Sequence, residues 1–171
     1  MTSWQALTNS EKQMKFNKIF MTTAKMMAEM SSCLRRKTGA VLVKDNRIIS
    51  TGYNGVPSGY SHCEKCIRLE KKIESGKNLE LCVATHAEIN AILMCAKNGI
   101  ATKQTILYCV ASPCNSCLGQ LINAGIEAVV FEEIYGNNHI LKTVDDDVIK
   151  LYQYYDGHIK QYIREEYIEI L

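Results

Sequence analysis

His86-Ala87-Glu88-Ile89-Asn90-Ala91-Ile92, Thr105-Ile106-Leu107-Tyr108-Cys109-Val110, Pro113-Cys114-Asn115-Ser116-Cys117 and Ala128-Val129-Val130-Phe131 follow one another in the stretch whose reading decides the fold. The first segment predicts a helix from near His86 to about Asn98, where Asn98-Gly99 stops it. The second reads as a buried strand. Pro113 suits the first turn of the next helix, which ends at Gly125, and the fourth segment is another strand. Helix, strand, helix, strand places a ligand-bearing motif at the start of each helix.

Those motifs carry chemistry. His86, Cys114 and Cys117 are three soft or borderline metal ligands, and a zinc ion held by one imidazole and two thiolates keeps its fourth position open for water. Zinc lowers the pKa of that water toward neutrality. Glu88, two places after the histidine, is free to carry protons. A helix N-terminus favours negative charge and helps keep Cys114 and Cys117 as thiolates, and their i,i+3 spacing brings both sulfurs to one face. A lone histidine is usually a satisfied core or surface residue, and a lone Cys-x-x-Cys is often structural or redox-active. Both halves together point to a metal-dependent hydrolase.

Working outward, Asn9 or Ser10 could cap a first helix in which Phe16, Ile19, Phe20, Thr23, Met27, Met30 and Leu34 recur at helical spacing. Ala40–Val43 and Ile48–Thr51 read as strands joined by a turn at Asp45-Asn46. Gly52-Tyr53-Asn54-Gly55-Val56-Pro57-Ser58-Gly59 is a glycine-rich loop, of the kind that lines sites when a rigid scaffold holds it. Residues 60–84 are irregular, charged and rich in cysteine. Val144–Tyr155 reads as a further helix, and Ile159–Leu171 mixes both periodicities, leaving strand and helix open. The expectation is a three-layer α/β/α domain over residues 1–171 with a central mixed sheet of about five strands. It carries a cysteine-rich insertion near 60–84 and a C-terminal extension near 156–171.

The whole chain fits one domain. Its 171 residues suffice for a single core, with 47% hydrophobic and 22% charged residues. A net charge of +2 argues against a general nucleic-acid binder. No apolar run reaches the length of a membrane span and no secretory leader is evident, so a cytoplasmic location is expected. In a reducing compartment eight cysteines point to metal before disulfides.

Taken together, these segments resemble the cytidine deaminase superfamily, and more closely its deoxycytidylate (dCMP) deaminase branch. Supporting stretches are Lys37-Thr38-Gly39-Ala40-Val41, Arg47-Ile48-Ile49-Ser50-Thr51-Gly52-Tyr53-Asn54-Gly55-Val56-Pro57, the two metal motifs, and Asn123-Ala124-Gly125-Ile126. His-x-Glu followed by Pro-Cys-x-x-Cys is the signature of zinc nucleobase deaminases. The Gly-Tyr-Asn-Gly-x-Pro loop narrows the choice to the nucleotide branch.

The resemblance implies hydrolysis of dCMP to dUMP and ammonia, feeding dTMP synthesis, with Glu88 as proton carrier. It implies substrate contacts from Asn54 to the sugar, from Ala87 backbone to the base, and from Ser112 and Tyr135. Members are commonly hexameric, activated by dCTP and inhibited by dTTP, with magnesium accompanying the triphosphate. Gly52, Tyr53 and Gly55 look like part of that effector site.

For the 5′-phosphate, Arg35, Arg36, Lys37, Arg47 and Arg68 are all candidates, and spacing does not choose among them; Arg35 and Arg36 rank first. Some viral relatives carry a second, structural zinc, and by that resemblance Cys33 and Cys63, with Cys66 and Cys82 standing in for missing histidines, would form a closed site. Cys95 and Cys109 read as core. Competing functions are deamination of tRNA adenosine or of free cytidine, and a non-catalytic zinc-binding interaction module.

Overall fold

The computed structural model describes residues 10–135 and 144–162. Six strands form one sheet in the order β2-β1-β3-β4-β5-β6: β1 Gly39–Lys44, β2 Arg47–Tyr53, β3 Thr105–Ala111, β4 Ile126–Glu133, β5 Lys150–Tyr155 and β6 His158–Gln161. β3 pairs antiparallel with β1 and parallel with β4, β4 and β5 are parallel, and the two hairpins are antiparallel, so the sheet is mixed. The helices are α1 Glu11–Glu29, the single turn α2 Ile67–Glu70, α3 Ala87–Lys97 and α4 Asn115–Asn123.

Alternation along the strands divides the interior into two layers. Val41, Val43, Ile106, Tyr108, Ala128 and Val130 face α1, together with Phe20, Met21 and Ala24. Their neighbours Ala40, Leu42, Leu107, Val129 and Phe131 pack against Ala91 and Cys95 of α3 and Leu118 and Leu121 of α4. The three-layer α/β/α expectation holds, with six strands in place of about five.

Two glycines let the helices lie close to the sheet. A Cβ on Gly39 would fall inside the backbone of Ala24 and Ala28, and one on Gly52 inside the backbone of Ala87 and Ala91. Gly52 thus belongs to the end of β2, and the connecting loop starts later than the sequence suggested. Gly55 exchanges both backbone hydrogen bonds with Thr85, at 3.1 and 2.9 Å, and so pins the residue before His86 to the exit of β2.

Three expectations are corrected. Val144–Tyr155 is not a helix: Asp145 accepts from the amides of Val148 and Ile149 in a turn, and β5 follows. Leu151 points to the α3/α4 layer and Tyr154 to the α1 layer, a two-residue alternation that a helix cannot serve. Ser10 caps α1, accepting from the amide of Gln13, but the buried face is Gln13, Asn17, Phe20, Met21, Ala24 and Ala28. Ile19, Met30 and Leu34 are exposed, and the helix stops at Glu29. The buried stripe includes polar residues because Asn17 donates to Gly157 O (3.1 Å) and accepts from Tyr108 Oη (2.8 Å) and Gln13 Nε2 (3.0 Å). Pro113 precedes the cap of α4 rather than sitting in its first turn. The open segment after Ile159 resolves as β6 up to Gln161; Asn9 and residues 163–171 lie outside the described residues.

Candidate active site

β3 ends at Ala111 with an antiparallel neighbour on one side and a parallel one on the other, and the cleft opens beside this end. α4 begins there and α3 presents its N-terminus to the same place. His86 is the N-cap of α3 and Cys114 the N-cap of α4, both with extended backbone, while Cys117 lies one turn into α4. The imidazole Nδ1 of His86 is 3.2 Å from Cys117 Sγ and 3.5 Å from Cys114 Sγ. Ligands around a tetrahedral zinc, at its usual bond lengths, stand roughly 3.5 Å apart. Among the described residues, these three are the group of ligand atoms lying within 4.8 Å of one another. The donor set fits zinc, and among the described residues no fourth His, Cys, Asp or Glu joins the group.

The electrostatics agree. A hydrogen bond shared with Cys117, and a further one to His86, holds the Cys114 thiol well below its ordinary range, while Cys117 is pushed up by that same bond and by burial. The bond to Cys114 raises the His86 pKa, against the effect of burial. Glu88 is 7% exposed, and burial pushes its carboxyl above the ordinary range. It stands outside the ligand group, as its proposed task requires.

The remaining predicted residues divide. Asn54, Ala87, Ser112 and Tyr135 all line the cleft of about 690 Å³ together with His86, Glu88 and Cys114. Asn54 accepts from Thr38 N and donates to Arg36 O, both at 2.8 Å, so its side chain braces the loop entering β1. Ser112 Oγ accepts from Tyr135 N at 2.8 Å and sets the aromatic ring beside the cleft.

Of the cations, Arg35, Arg36 and Arg68 line the cleft. Lys37 pairs with Glu29 at 3.6 Å and Arg47 is exposed at the start of β2, so neither lines it. Gly52 and Tyr53 do not line it either, whereas Gly55 lines a neighbouring cavity. That cavity, of about 740 Å³, is lined by Cys33, Cys63, Cys66 and Cys82, although no three of their sulfurs meet within 4.8 Å. Cys95 and Cys109 are buried, as read, but Cys109 also lines the cleft. Ser75 is a lining residue that the sequence reading missed; it sits in the irregular segment, where no periodicity marks a facing direction.

Comparisons with known proteins bear on this geometry. Residues 14–133 match the model of the cytidine and deoxycytidylate deaminase zinc-binding region. The chain is 36% identical over 149 residues to the deoxycytidylate deaminase of Schizosaccharomyces pombe, covering 86% of this chain and 44% of that protein. It is 37% identical over 121 residues to that of Mycobacterium phage D29, covering 68% of this chain and 93% of the phage protein. A crystal structure of dCMP deaminase from cyanophage S-TIM5, in complex with dCMP and dUMP, superposes with a TM-score of 0.70 at 26% identity, covering 82% of this chain and 97% of that one. The chain spans under half the length of the two yeast relatives it matches, at 44% and 45%. With the metal motif assembled in space and the family model covering residues 14–133, the chain belongs to the cytidine and deoxycytidylate deaminase zinc-binding family.

Proposed function

We propose that the protein hydrolyses dCMP to dUMP with release of ammonia. The observation that carries this reading is the convergence of His86, Cys114 and Cys117 beside the buried Glu88 in one cleft. His86, Cys114 and Cys117 would hold zinc, which when bound supplies a polarised water acidic enough to react near neutral pH. Glu88, whose carboxyl burial pushes above its ordinary range, delivers a proton to the ring nitrogen N3 and next carries one to the departing amine at C4. Ala87 offers backbone to the base, and Asn54 holds the loop against which the sugar rests. Water enters at C4 and ammonia leaves, so the reaction needs no other reactant.

The same proposal extends to regulation and assembly. dCTP as activator and dTTP as inhibitor, each with magnesium, are supported by the short run from Asn54 to Gly55, which touches the catalytic cleft on one side and the thiol-lined cavity on the other. Arg36 and Tyr53 flank that run. A hexamer in solution follows the family resemblance. A structural zinc on Cys33, Cys63, Cys66 and Cys82 is supported by their sharing one cavity; binding has to draw the sulfurs together.

Turnover assays on the zinc-loaded protein with dCMP, deoxycytidine and a tRNA anticodon stem test the reading. Preference for dCMP supports it, and turnover of the tRNA alone overturns it. A dTTP titration of dCMP turnover tests the effector, and light scattering the assembly. Among the described residues no helix is long and apolar enough to cross a membrane.

A further inference from the structure

We propose that Arg68, together with Arg35, forms the anion subsite that receives the 5′-phosphate, so that the cysteine-rich segment, and not the metal-bearing helices, sets the preference for nucleotide over nucleoside. The inference rests on the deaminase reading above and deepens it.

Arg68 lies on α2 and is 5% exposed. Its Nη2 donates to Lys77 O at 2.7 Å, and its Nε is buried with no partner. Arg35, which leads from α1 toward β1, donates from Nη2 to Ile73 O at 2.6 Å, and its Nη1 is likewise buried with no partner. These two are the buried side-chain nitrogens or oxygens left unsatisfied among the described residues, and both arginines line the cleft that holds Glu88. Neither has an ion-pair partner among the described residues.

A guanidinium cannot escape burial by losing its proton. A buried donor left unmatched is costly, and more so when it is charged. Two such cations facing one cleft call for an anion with several acceptor oxygens, and phosphate matches the planar fork of arginine. Glu88 is the one carboxylate among the lining residues, and it belongs to the metal end. Arg36 is different: it already pairs with Glu133 at 2.5 Å and lies 5.0 Å above the centroid of the Tyr135 ring. Its charge is spent.

The segment between Ile73 and Lys77 is shaped for the same task. Its two ends are held by the two arginines, and its middle by the amide of Gly76, which donates to Tyr135 Oη at 3.2 Å. Ser75 sits in the wall of the cleft between those anchors. Folding the irregular segment over the site therefore delivers a cation, a hydroxyl and a closed wall to one end of it.

The test compares dCMP with deoxycytidine on the zinc-loaded protein carrying Arg68→Gln, Arg68→Lys or Arg35→Gln. The proposal predicts that kcat/KM for dCMP falls roughly 10- to 100-fold in Arg68→Gln. The ratio of dCMP to deoxycytidine kcat/KM falls by a similar factor, and Arg68→Lys recovers part of it. A ratio equal to that of the wild type in both glutamine variants overturns the proposal. Calorimetric binding of dUMP against deoxyuridine gives a second readout: wild type should bind dUMP at least about tenfold tighter, with the margin lost in Arg35→Gln. Equal binding of the two ligands by the wild type overturns the subsite. Should the wild type deaminate neither substrate, the deaminase reading fails, while the binding comparison still decides the subsite.

Discussion

Nδ1 of His86 lies 3.2 Å from Sγ of Cys117, across 31 positions of sequence. The intervening chain runs down α3, through β3 and back to the start of α4, so the contact exists only because both helices begin beside the carboxyl end of β3. Each ligand motif stands at a helix cap, and at the start of α4 the unsatisfied amides favour thiolate. Four predictions follow from this arrangement and from the packing around it.

Glu88→Gln should retain zinc and the fold while turnover of dCMP drops by roughly two or more orders of magnitude, because the amide cannot carry a proton. Metal analysis beside steady-state kinetics checks it. Full activity with bound zinc would remove Glu88 from the mechanism, and a protein with no turnover to lose would point to a non-catalytic module.

Cys117→Ser should lower zinc at the catalytic site from one ion per chain toward none, since a hydroxyl is a poor replacement for thiolate. Activity should vanish in parallel and not return on modest zinc addition. Metal counting also decides the second site. Two ions in the wild type, falling to one in Cys66→Ser/Cys82→Ser, would support it, whereas one ion in the wild type ends that part of the proposal.

Asn17→Ala removes the acceptor of Tyr108 Oη and of Gln13 Nε2 and the donor to Gly157 O, so three buried polar groups lose this partner. Each costs about 1–3 kcal/mol, so urea unfolding should show a loss of several kcal/mol. Tyr108→Phe, which takes away only the hydroxyl, should cost about 1 kcal/mol. Equal stability of the alanine variant and the wild type would show that the link between α1 and the β5–β6 hairpin carries no load.

Gly52→Ala places a methyl against the backbone of Ala87 and Ala91, which are part of the helix that His86 caps. Overpacking of this kind costs about 1–3 kcal/mol. The variant should melt earlier and bind zinc more weakly, because α3 must move away from β2. Thermal melts with and without added zinc measure both effects; unaltered melting and metal affinity would contradict the close approach.

Much of the fold was legible where local chemistry and local structure coincide. The two hydrophobic runs of β3 and β4, the start of α3 at His86 and its stop at Asn98, and the β1–β2 turn, whose Asp45 and Asn46 both take positive φ, appeared where the pattern put them. The strand β5 also carries a local signal. Asp156-Gly157 adopts positive φ at both positions, the two-residue hairpin signal, and it should have drawn the preceding tyrosine-rich run toward strand. The buried face of α1 departs from its apolar spacing for another reason: the stripe runs through Gln13 and Asn17, whose burial is tolerable only because Tyr108 and Gly157 answer them.

From the chain alone came the candidate metal ligands, the carboxylate beside them, and the helix–strand order that carries them, because each is encoded within a few adjacent residues. Tertiary structure alone separated the five candidate cations, bringing Arg35, Arg36 and Arg68 to the cleft and leaving Lys37 and Arg47 outside it. Which guanidinium lacks a counter-charge depends on what folds over it, and the wall formed by residues 73–77 meets Arg35 and Tyr135 from distant parts of the chain. Local spacing records which side chains exist; burial and the pairing of charges are properties of the closed surface.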